Sequence, residues 1–225
     1  MSTTPSARAT SSDARELPTL TALDLACRRG NRVLFRGVNL AVRAGQATWL
    51  RGRNGRGKTS LLRLAAGLAV PESGNILWGD KPVRAAADYA AQRVYIGHAN
   101  ALKDDLSVTE SLTFLARMHG RPSDAPTIRA ALERVGMGSR RDALVRTLSQ
   151  GQRRRATLAR LALEQQASIW ILDEPYDALD TDGVQAVNEL LHEHLARGGS
   201  VLLTSHLSPG SAAPTLAEFD LDPFA

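Results

Sequence analysis

The chain has 225 residues, of which 43% are apolar and 23% are charged, and this fits one α/β domain or two small ones. Its apolar runs are strand-sized, and none approaches the ~20 residues of a membrane-spanning helix, so any work at a membrane requires a partner. The net charge of +5 comes almost entirely from arginine. This charge permits binding to nucleic acid or an anionic membrane, but it also describes an ordinary basic surface. The single cysteine, Cys27, excludes an intramolecular disulfide and fits a reducing compartment.

The first segments of the chain predict a tail followed by two paired strands. Residues 1–18 are rich in Ser, Thr, Ala and Arg, and we predict that they form a flexible N-terminal tail. They lack the apolar centre of a secretory signal, and Asp13 and Glu16 argue against an organellar transit peptide. Residues 20–25 and 38–42 alternate between apolar and polar positions around a glycine-containing turn, which predicts antiparallel strands.

A phosphate-binding loop of the form G-x-x-x-x-G-K-[ST] occupies residues 52–60. Its glycines let successive backbone N–H groups point at phosphate oxygens, while Lys58 can reach the β- and γ-phosphates and the Thr59 hydroxyl can reach Mg²⁺. A short strand before the loop and an amphipathic helix after it provide the context that the motif requires. The predicted nucleotide-binding residues are therefore Gly52, Arg53, Asn54, Gly55, Arg56, Gly57, Lys58, Thr59 and Ser60.

Beyond the loop, strands alternate with helices, which predicts a parallel sheet with right-handed crossovers and ligands beyond the strand C-termini. The predicted strands span residues 75–78, 93–96, 168–172 and 201–204. The predicted helices span residues 127–135, 150–165 and 180–196, with another that starts after Ser107. Ser107 and Glu110 form a capping box at that start, and we place an inserted helical subdomain at about residues 100–165. Residues 208–225 contain three prolines and little periodicity, so we predict a C-terminal tail.

Two acids, Asp173 and Glu174, follow a strongly apolar strand and precede a proline. An acid at the end of a buried strand beside a phosphate-binding loop can hold Mg²⁺, so Asp173 joins Thr59 as a predicted metal-binding residue. Glu174 is predicted to orient or deprotonate an attacking water, which makes it a catalytic candidate. In isolation, the two acids would more simply cap a strand-to-loop junction.

A third motif, L-S-Q-G-Q at residues 148–152, is called the signature motif below. Ser149 can cap the helix that follows, and Gly151 permits a close approach by another stretch of backbone. A helix start that offers N–H groups and a hydroxyl attracts anions, although read alone the motif is only an N-cap.

The order of these three motifs, followed by A-L-D at residues 178–180 and by His206 after a strand, resembles the ATPase subunits of ATP-binding cassette (ABC) transporters. The resemblance covers about residues 19–207. It implies a P-loop NTPase fold of the α/β class, with a RecA-like core, an antiparallel β edge and an inserted helical subdomain. It also implies ATP and Mg²⁺ as cofactors.

In that family two ATPase subunits pack head to tail, and each ATP lies between the phosphate-binding loop of one subunit and the signature motif of the other. The resemblance therefore implies a homodimer. It assigns Ser149 and Gly151, with Gln152 in the same nucleotide-binding group, to the nucleotide of the partner subunit. Asp180 would belong to the loop that crosses the dimer seam, and His206 would contact the γ-phosphate and the attacking water.

The chain departs from the family pattern at three places. Gln150 stands where the signature motif usually has Gly. No aromatic residue is present near Arg28 and Arg29 to stack on adenine, although the plane of an arginine could stack instead. His98 stands at the strand end where the family has a catalytic Gln, and it is a third catalytic candidate, with Asn100 as a possible amide substitute.

The segments around His98, the signature helix and the strand before Asp173 narrow the resemblance to the ATPases of cytochrome c maturation systems. This resemblance implies a peripheral ATPase at the cytoplasmic face of the inner membrane, with an integral membrane subunit of the CcmB type and other cytochrome c maturation proteins as partners. It also implies a role in haem handling or export. We predict no nucleic-acid partner.

Three alternatives stay open at this point. The chain could be the ATPase of another small-substrate ABC transporter, or a soluble ABC ATPase that acts on nucleic acid, although those proteins need a long insertion or a second cassette. A non-hydrolysing nucleotide-binding module is the third, and the presence of both acids argues against it.

His192 and His194 lie two apart on a predicted helix, which argues against a metal site. The run of arginines at residues 153–155 could contact nucleotide or a partner, but as a charge run on a helix it is more simply a solvated face.

Overall fold

The computed structural model describes residues 17–206 and 212–224. Most of the predicted N-terminal tail, residues 1–16, lies outside this part. A five-stranded parallel sheet has the strand order β6-β7-β8-β3-β9, and a four-stranded antiparallel sheet has the order β2-β1-β4-β5. The strands are β1 (Leu20–Arg29), β2 (Arg32–Val42), β3 (Ala47–Arg51), β4 (Ser73–Trp78), β5 (Lys81–Pro82), β6 (Arg93–Ile96), β7 (Ile169–Asp173), β8 (Ser200–Thr204) and β9 (Leu216–Asp220).

The predicted antiparallel pair is confirmed, and it belongs to the four-stranded antiparallel sheet. β1 and β2 pair in antiparallel register from Leu20 opposite Val42 to Arg29 opposite Arg32. Gly30 makes the turn between them with a φ of 58°, a left-handed conformation that glycine adopts without a steric penalty. Of the four strands predicted after the loop, β6, β7 and β8 lie in the parallel sheet with β3, whereas the strand at 75–78 is β4 and pairs antiparallel with β1.

The helical subdomain follows β6, as predicted. Its helices are α2 (Val108–Met118), α3 (Ala125–Arg134) and α4 (Gln150–Leu158), while α1 (Lys58–Ala65) and α5 (Thr181–Ala196) belong to the α/β core. The predicted capping box at Ser107 and Glu110 is present at the start of α2. The single helix predicted over 150–165 was wrong in its second half, because the chain tightens into a 3-10 helix at Ala159–Leu163.

Apolar side chains cover both faces of the parallel sheet. Along β7, Trp170 and Leu172 point toward the helical subdomain, whereas Ile169 and Ile171 point toward α1 and the antiparallel sheet. Because successive side chains of a strand alternate between faces, a strand that is buried on both sides needs this continuous apolar run. The phosphate-binding loop, Asp173 and His98 all lie at or beyond the carboxyl ends of these strands.

The predicted C-terminal tail was wrong over residues 216–224. β9 pairs in parallel with β3, and a 3-10 helix at Asp222–Phe224 follows it. Leu221 is fully buried and donates its N–H to the carbonyl of Arg51. The strand that carries the phosphate-binding loop is therefore an inner strand of the sheet, held on both sides.

Within the described residues, no helix combines the length and apolarity needed to cross a bilayer.

Candidate active site

The phosphate-binding loop connects β3 to α1, in the strand–loop–helix context that the sequence predicts. Gly55 and Gly57 have φ angles of 78° and 99°, which let the backbone curl back on itself. A Cβ on Gly57 would lie only 3.0 Å from Leu34 Cβ and from the ring of Phe35, so this position has no room for a side chain. The loop therefore rests directly on the antiparallel sheet.

A cleft of about 360 Å³ lies beside this loop, and we call it the loop cleft. It brings six of the nine predicted loop residues together with both acids and with His98 and His206. Its lining includes Asn54, Gly55, Gly57, Lys58, Thr59, Ser60, His98, Asp173, Glu174, Asp177, Ser205 and His206. The Lys58 ammonium donates to the Gly52 carbonyl at 2.6 Å, so it is positioned over the mouth of the loop.

Gly52, Arg53 and Arg56, the other three predicted loop residues, lie away from the loop cleft. The Arg53 N–H donates to Asp222 Oδ1 at 3.0 Å, and the Arg56 guanidinium lies 3.5 Å from the same oxygen. A hydrogen bond from the Arg53 backbone and the charge of Arg53 keep the pKa of Asp222 below its usual value. Both arginines therefore bind the C-terminal segment, a contact that only the fold of that segment reveals.

Asp173 ends β7 and is only 2% exposed. Its Oδ1 accepts a hydrogen bond from the Thr204 hydroxyl at 2.9 Å, whereas its buried Oδ2 has no hydrogen-bond partner among the described residues. An unpaired buried carboxylate oxygen is costly, and a hydrated cation would satisfy it. Thr59 lines the same cleft, so the two predicted metal-binding residues lie at one place.

Glu174 follows Asp173 and has a φ of 51°, an uncommon left-handed conformation for a residue other than glycine. Its backbone N–H donates to the Thr204 hydroxyl at 3.0 Å. Its carboxylate accepts the His206 backbone N–H at 2.8 Å, and the His206 imidazole Nε2 lies 3.4 Å from the other oxygen. The structure thus brings together the predicted general base and the predicted γ-phosphate contact, at the ends of neighbouring strands.

The signature residues lie in a second cleft of about 360 Å³, which we call the signature cleft. It is lined by Gly136, Met137, Ser139, Arg140, Ser149, Gly151, Gln152, Arg155, Ala178 and Asp180, none of which lines the loop cleft. Ser149 and Gln152 form a reciprocal capping box at the start of α4. A Cβ on Gly151 would lie 2.5 Å from the Ala178 carbonyl oxygen, so the approaching backbone belongs to the loop before α5.

Asp180 caps α5, since its Oδ1 accepts the Gly183 N–H at 3.0 Å, and it pairs with Arg155 of α4. The hydrogen bond from Arg155 lowers the pKa of Asp180, with a smaller contribution from the Gly183 N–H. The loop around Asp180 is thereby held against the signature helix.

Arg154 was missed by the sequence analysis, which read residues 153–155 as a solvated face. The side chain of Arg154 is 3% exposed, and its guanidinium donates to backbone carbonyls behind the loop cleft. Burial lowers the pKa of this group, while the carboxylates of Asp177, Asp173 and Glu174 act in the opposite direction. The prediction of a solvated face was therefore wrong for Arg154, whereas Arg153 pairs with Asp104 at the surface.

The residues at which the chain departs from the family pattern differ in their distance from the loop cleft. Arg29 lines the loop cleft, but Arg28 pairs with Glu72 at 2.9 Å, so Arg29 is the better candidate to face a base. His98 is exposed and lines the same cleft. Asn100 lies behind it, where its Oδ1 accepts from Arg154 at 3.4 Å.

The two helix histidines do not meet, as predicted. His194 is fully buried and stacks on Trp170 with a centroid separation of 3.7 Å, whereas His192 is exposed. Across the described residues, no group of three or more His, Cys, Asp or Glu side chains could hold a metal ion. A metal in the loop cleft would therefore depend on Asp173, Thr59 and oxygens of a bound phosphate.

Comparison with known proteins agrees with this geometry. Residues 35–177 match the family described as "ABC transporter". The cytochrome c biogenesis ATP-binding export protein CcmA of Albidiferax ferrireducens is 44% identical over 193 residues, which cover 85% of this chain and 91% of that protein. The protein of the same name from Pseudomonas aeruginosa is 45% identical over 188 residues, with 83% and 92% covered.

The fold has a counterpart among solved structures. A putative ABC transporter (ATP-binding protein) from Pyrococcus furiosus superposes with a TM-score of 0.77 and covers 92% of this chain and 99% of its own. Its sequence identity is 23%, so this likeness bears on the fold alone.

Proposed function

The chain belongs to the ABC transporter family and, within it, to the cytochrome c biogenesis ATP-binding export proteins, and from this premise we propose how its two clefts work. The chain is an ATP-hydrolysing transporter subunit. One observation carries the assignment of roles: the loop cleft unites Lys58, Asp173, Glu174 and His206 around a phosphate-binding loop. These groups supply the charge, the base and the orienting contact that hydrolysis of a phosphoanhydride requires.

In the proposed reaction, the backbone of residues 54–60 and the Lys58 ammonium hold the triphosphate. Glu174 accepts a proton from the attacking water as the water oxygen bonds to the γ-phosphorus, and the bond to the ADP oxygen breaks. The products are ADP and phosphate. His206 lies beside the Glu174 carboxylate, where its imidazole can contact both the γ-phosphate and the water.

Magnesium belongs to this proposal because of the chemistry of the donors. Asp173 Oδ2 is buried and unpartnered in the described chain, and the Thr59 hydroxyl lines the same cleft. These oxygens suit Mg²⁺, which retains several waters and takes the rest of its ligands from phosphates. When bound, the ion would neutralise charge on the β- and γ-phosphates.

We further propose that two copies of the chain form a head-to-tail dimer. The loop cleft and the signature cleft share no lining residue, although both contain residues predicted to bind one nucleotide. A second copy would bring its Ser149, Gly151 and Gln152 to the open side of the loop cleft, with Asp180 at the seam. The helix start at Ser149 would then present N–H groups to the γ-phosphate.

In the cell, we propose that this dimer works with an integral membrane subunit of the CcmB type and with other cytochrome c maturation proteins. It would sit peripherally at the cytoplasmic face of the inner membrane and couple ATP hydrolysis to haem handling or export. The names of the relatives, which describe ATP-binding export in cytochrome c biogenesis, support this role.

A mixing experiment tests the composite site. Lys58→Ala disables the loop cleft and Gly151→Asp disables the signature cleft, so each variant alone should hydrolyse ATP poorly. In a mixed dimer, one of the two sites combines an intact loop with an intact signature, so activity should return. Mixed dimers that co-elute yet remain inactive would contradict the shared site.

The cellular role requires a separate test. Deletion of the gene should abolish covalent haem staining of c-type cytochromes, and the wild-type chain but not Lys58→Ala should restore it. Undiminished staining after deletion would remove the cytochrome role and leave the ATPase chemistry intact. A co-purifying membrane subunit of another transport system would favour the other small-substrate alternative.

A further inference from the structure

Arg154 connects the two clefts of the same chain through one buried side chain. It lies in α4, five residues after the Ser149 cap, and is 3% exposed. Its guanidinium passes under the signature helix to the back of the loop cleft, although it lines neither cleft. A buried charge requires several partners, and here nearly all of them are backbone carbonyls.

One side of the guanidinium holds the backbone at Asp173 and Glu174. Nη2 donates to the carbonyl oxygens of Asp173 at 2.7 Å and Glu174 at 2.8 Å. These two successive carbonyls share one nitrogen at the point where Glu174 has its left-handed φ of 51°. Such a conformation is strained for a residue other than glycine and persists only where surrounding contacts enforce it.

The other side of the guanidinium holds the strand end that carries His98. Nη1 donates to the Gly97 carbonyl at 2.9 Å and lies 3.4 Å from Asn100 Oδ1. His98, the next residue after Gly97, faces the loop cleft. The same side chain thus fixes the backbone beneath two of the three predicted catalytic residues.

The next residue of α4 makes the complementary contacts. Arg155 pairs with Asp180 and donates to the Val135 carbonyl at 3.5 Å, both beside the signature cleft. Two successive arginines therefore tie one helix to both clefts. Because Arg154 belongs to α4, a shift of this helix would move the group that holds the carbonyls of Gly97, Asp173 and Glu174.

We propose that Arg154 is a positioning residue for hydrolysis, which sets the backbone conformation of Glu174 and of the segment before His98 and links both to the signature helix. This inference rests on the proposed function, in which Glu174 is the general base. Arg154 acts through Glu174, so its loss should slow turnover while nucleotide binding by the phosphate-binding loop persists.

The test compares Arg154→Gln with Arg154→Lys and with the control Arg153→Gln in the full-length chain, in the complex with which it purifies. Arg153 is the neighbouring arginine of the same helix, and it pairs at the surface with Asp104 at 2.7 Å. We expect kcat of Arg154→Gln to fall by about 10²-fold, the scale of a small misplacement of a catalytic group. The dissociation constant for ATP should change less than about threefold, a size typical of surface interactions.

Arg154→Lys should recover part of the lost kcat, because an ammonium can reach one pair of carbonyls but not span both pairs. Arg153→Gln should retain wild-type turnover. A kcat for Arg154→Gln within twofold of wild type, or an equal loss of kcat and ATP affinity in both Arg154 variants, would overturn the proposal. The lysine variant also keeps the test decisive if the glutamine variant folds poorly.

A second comparison separates this inference from the function on which it rests. In a Glu174→Gln background, adding Arg154→Gln should cause a clearly smaller loss than it causes in the wild-type chain, because the base that Arg154 positions is already absent and only its effect through the segment before His98 remains. Fully multiplicative losses would assign Arg154 a role independent of Glu174 and overturn the proposal. If Glu174→Gln alone retained normal turnover, the proposed function itself would fail first.

Discussion

The loop cleft and the signature cleft have the same volume, but they are built from different kinds of structure. The loop cleft lies where β3, β6, β7 and β8 end, and its acids follow a strand that is buried along its whole length. The signature cleft is built from a helix start and loops, and its side chains are mostly caps and surface pairs. Of the two, the loop cleft is the one lined by the proposed base, Glu174, and by the proposed metal-binding residues, Asp173 and Thr59. In the proposed head-to-tail dimer the two kinds of structure would meet: strand ends that carry the predicted catalytic groups, and a capped helix start that completes the site.

The largest expected effect is on the loop cleft. Glu174→Gln removes the proposed base without changing the size of the side chain, so ATP turnover should fall by about 10²- to 10⁴-fold. ATP binding and dimer formation should persist, since neither depends on the base. Steady-state hydrolysis measures the turnover, and equilibrium nucleotide binding measures the affinity for ATP. Size-exclusion chromatography in ATP measures dimer formation. Turnover close to that of the wild type would remove Glu174 from this role.

The signature cleft should respond differently to a small change in shape. Gly151→Ala places a Cβ 2.5 Å from the Ala178 carbonyl oxygen, so the loop before α5 must move. Overpacking of this kind costs about 1–3 kcal/mol, and we expect roughly a tenfold or greater loss of turnover. Nucleotide affinity of the isolated chain serves as the control and should not change, because the loop cleft shares no residue with this one. A matching loss of affinity would contradict the separation of the two clefts.

Acidic pH should destabilise the packing of α5, which begins beside the signature cleft, against β7, which ends at the loop cleft. His194 is fully buried against Trp170 of β7, and burial lowers its pKa from 6.5 to about 4. Below pH 6.5 this histidine binds a proton in the unfolded chain but stays neutral in the folded chain. Its contribution to the free energy of unfolding is therefore fully present above pH 6.5 and declines as the pH falls toward 4. Between pH 7.5 and pH 5 the free energy of unfolding should fall by about 2 kcal/mol on this account.

Urea unfolding at a series of pH values measures that decline. His192→Gln changes an exposed histidine of the same helix and should keep the full pH dependence. A folded His194→Asn variant should lose most of it. Equal pH dependence in both variants would assign the effect to other groups.

The smallest expected effect concerns the contact between the C-terminal segment and the phosphate-binding loop. Asp222→Asn weakens the pairs with Arg53 and Arg56 at the start of the loop. Because these groups are partly exposed, the dissociation constant for ATP should rise by less than about fivefold. Glu218→Gln is a matched control, since Glu218 pairs with Arg51 in the same segment without touching the loop. A tenfold change would make Asp222 part of the binding site itself.

Local pattern was sufficient to predict the loop cleft. Alternation and apolar runs gave the strands, and glycine spacing gave the loop that follows β3. Asp173 and Glu174 were recognised because two acids end an apolar strand in a chain that also carries a phosphate-binding loop. These features depend on residues that are neighbours in sequence, so they leave a readable signal.

Other features depend on contacts between segments that are distant in the chain. Arg154 looks like any surface arginine, and its burial is fixed by carbonyls at Gly97, Asp173 and Glu174. β9 is a half-exposed edge strand with weak alternation, so only its pairing with β3 identifies it. The shift from α4 to a 3-10 helix at Ala159–Leu163 likewise has no local proline or glycine to announce it.

The inner position of β3 has a consequence for how the molecule assembles during synthesis. Thr48 pairs with Leu202 on one side and with Ala217 on the other, so both neighbours of this early strand come from late in the chain. Non-local pairing of this kind is slow, because a long loop must close before the strands meet. The nascent chain will therefore expose an unpaired apolar strand edge until β8 and β9 leave the ribosome. Competence to bind ATP should therefore arrive in one step, once β8 and β9 have been synthesised, and not in stages.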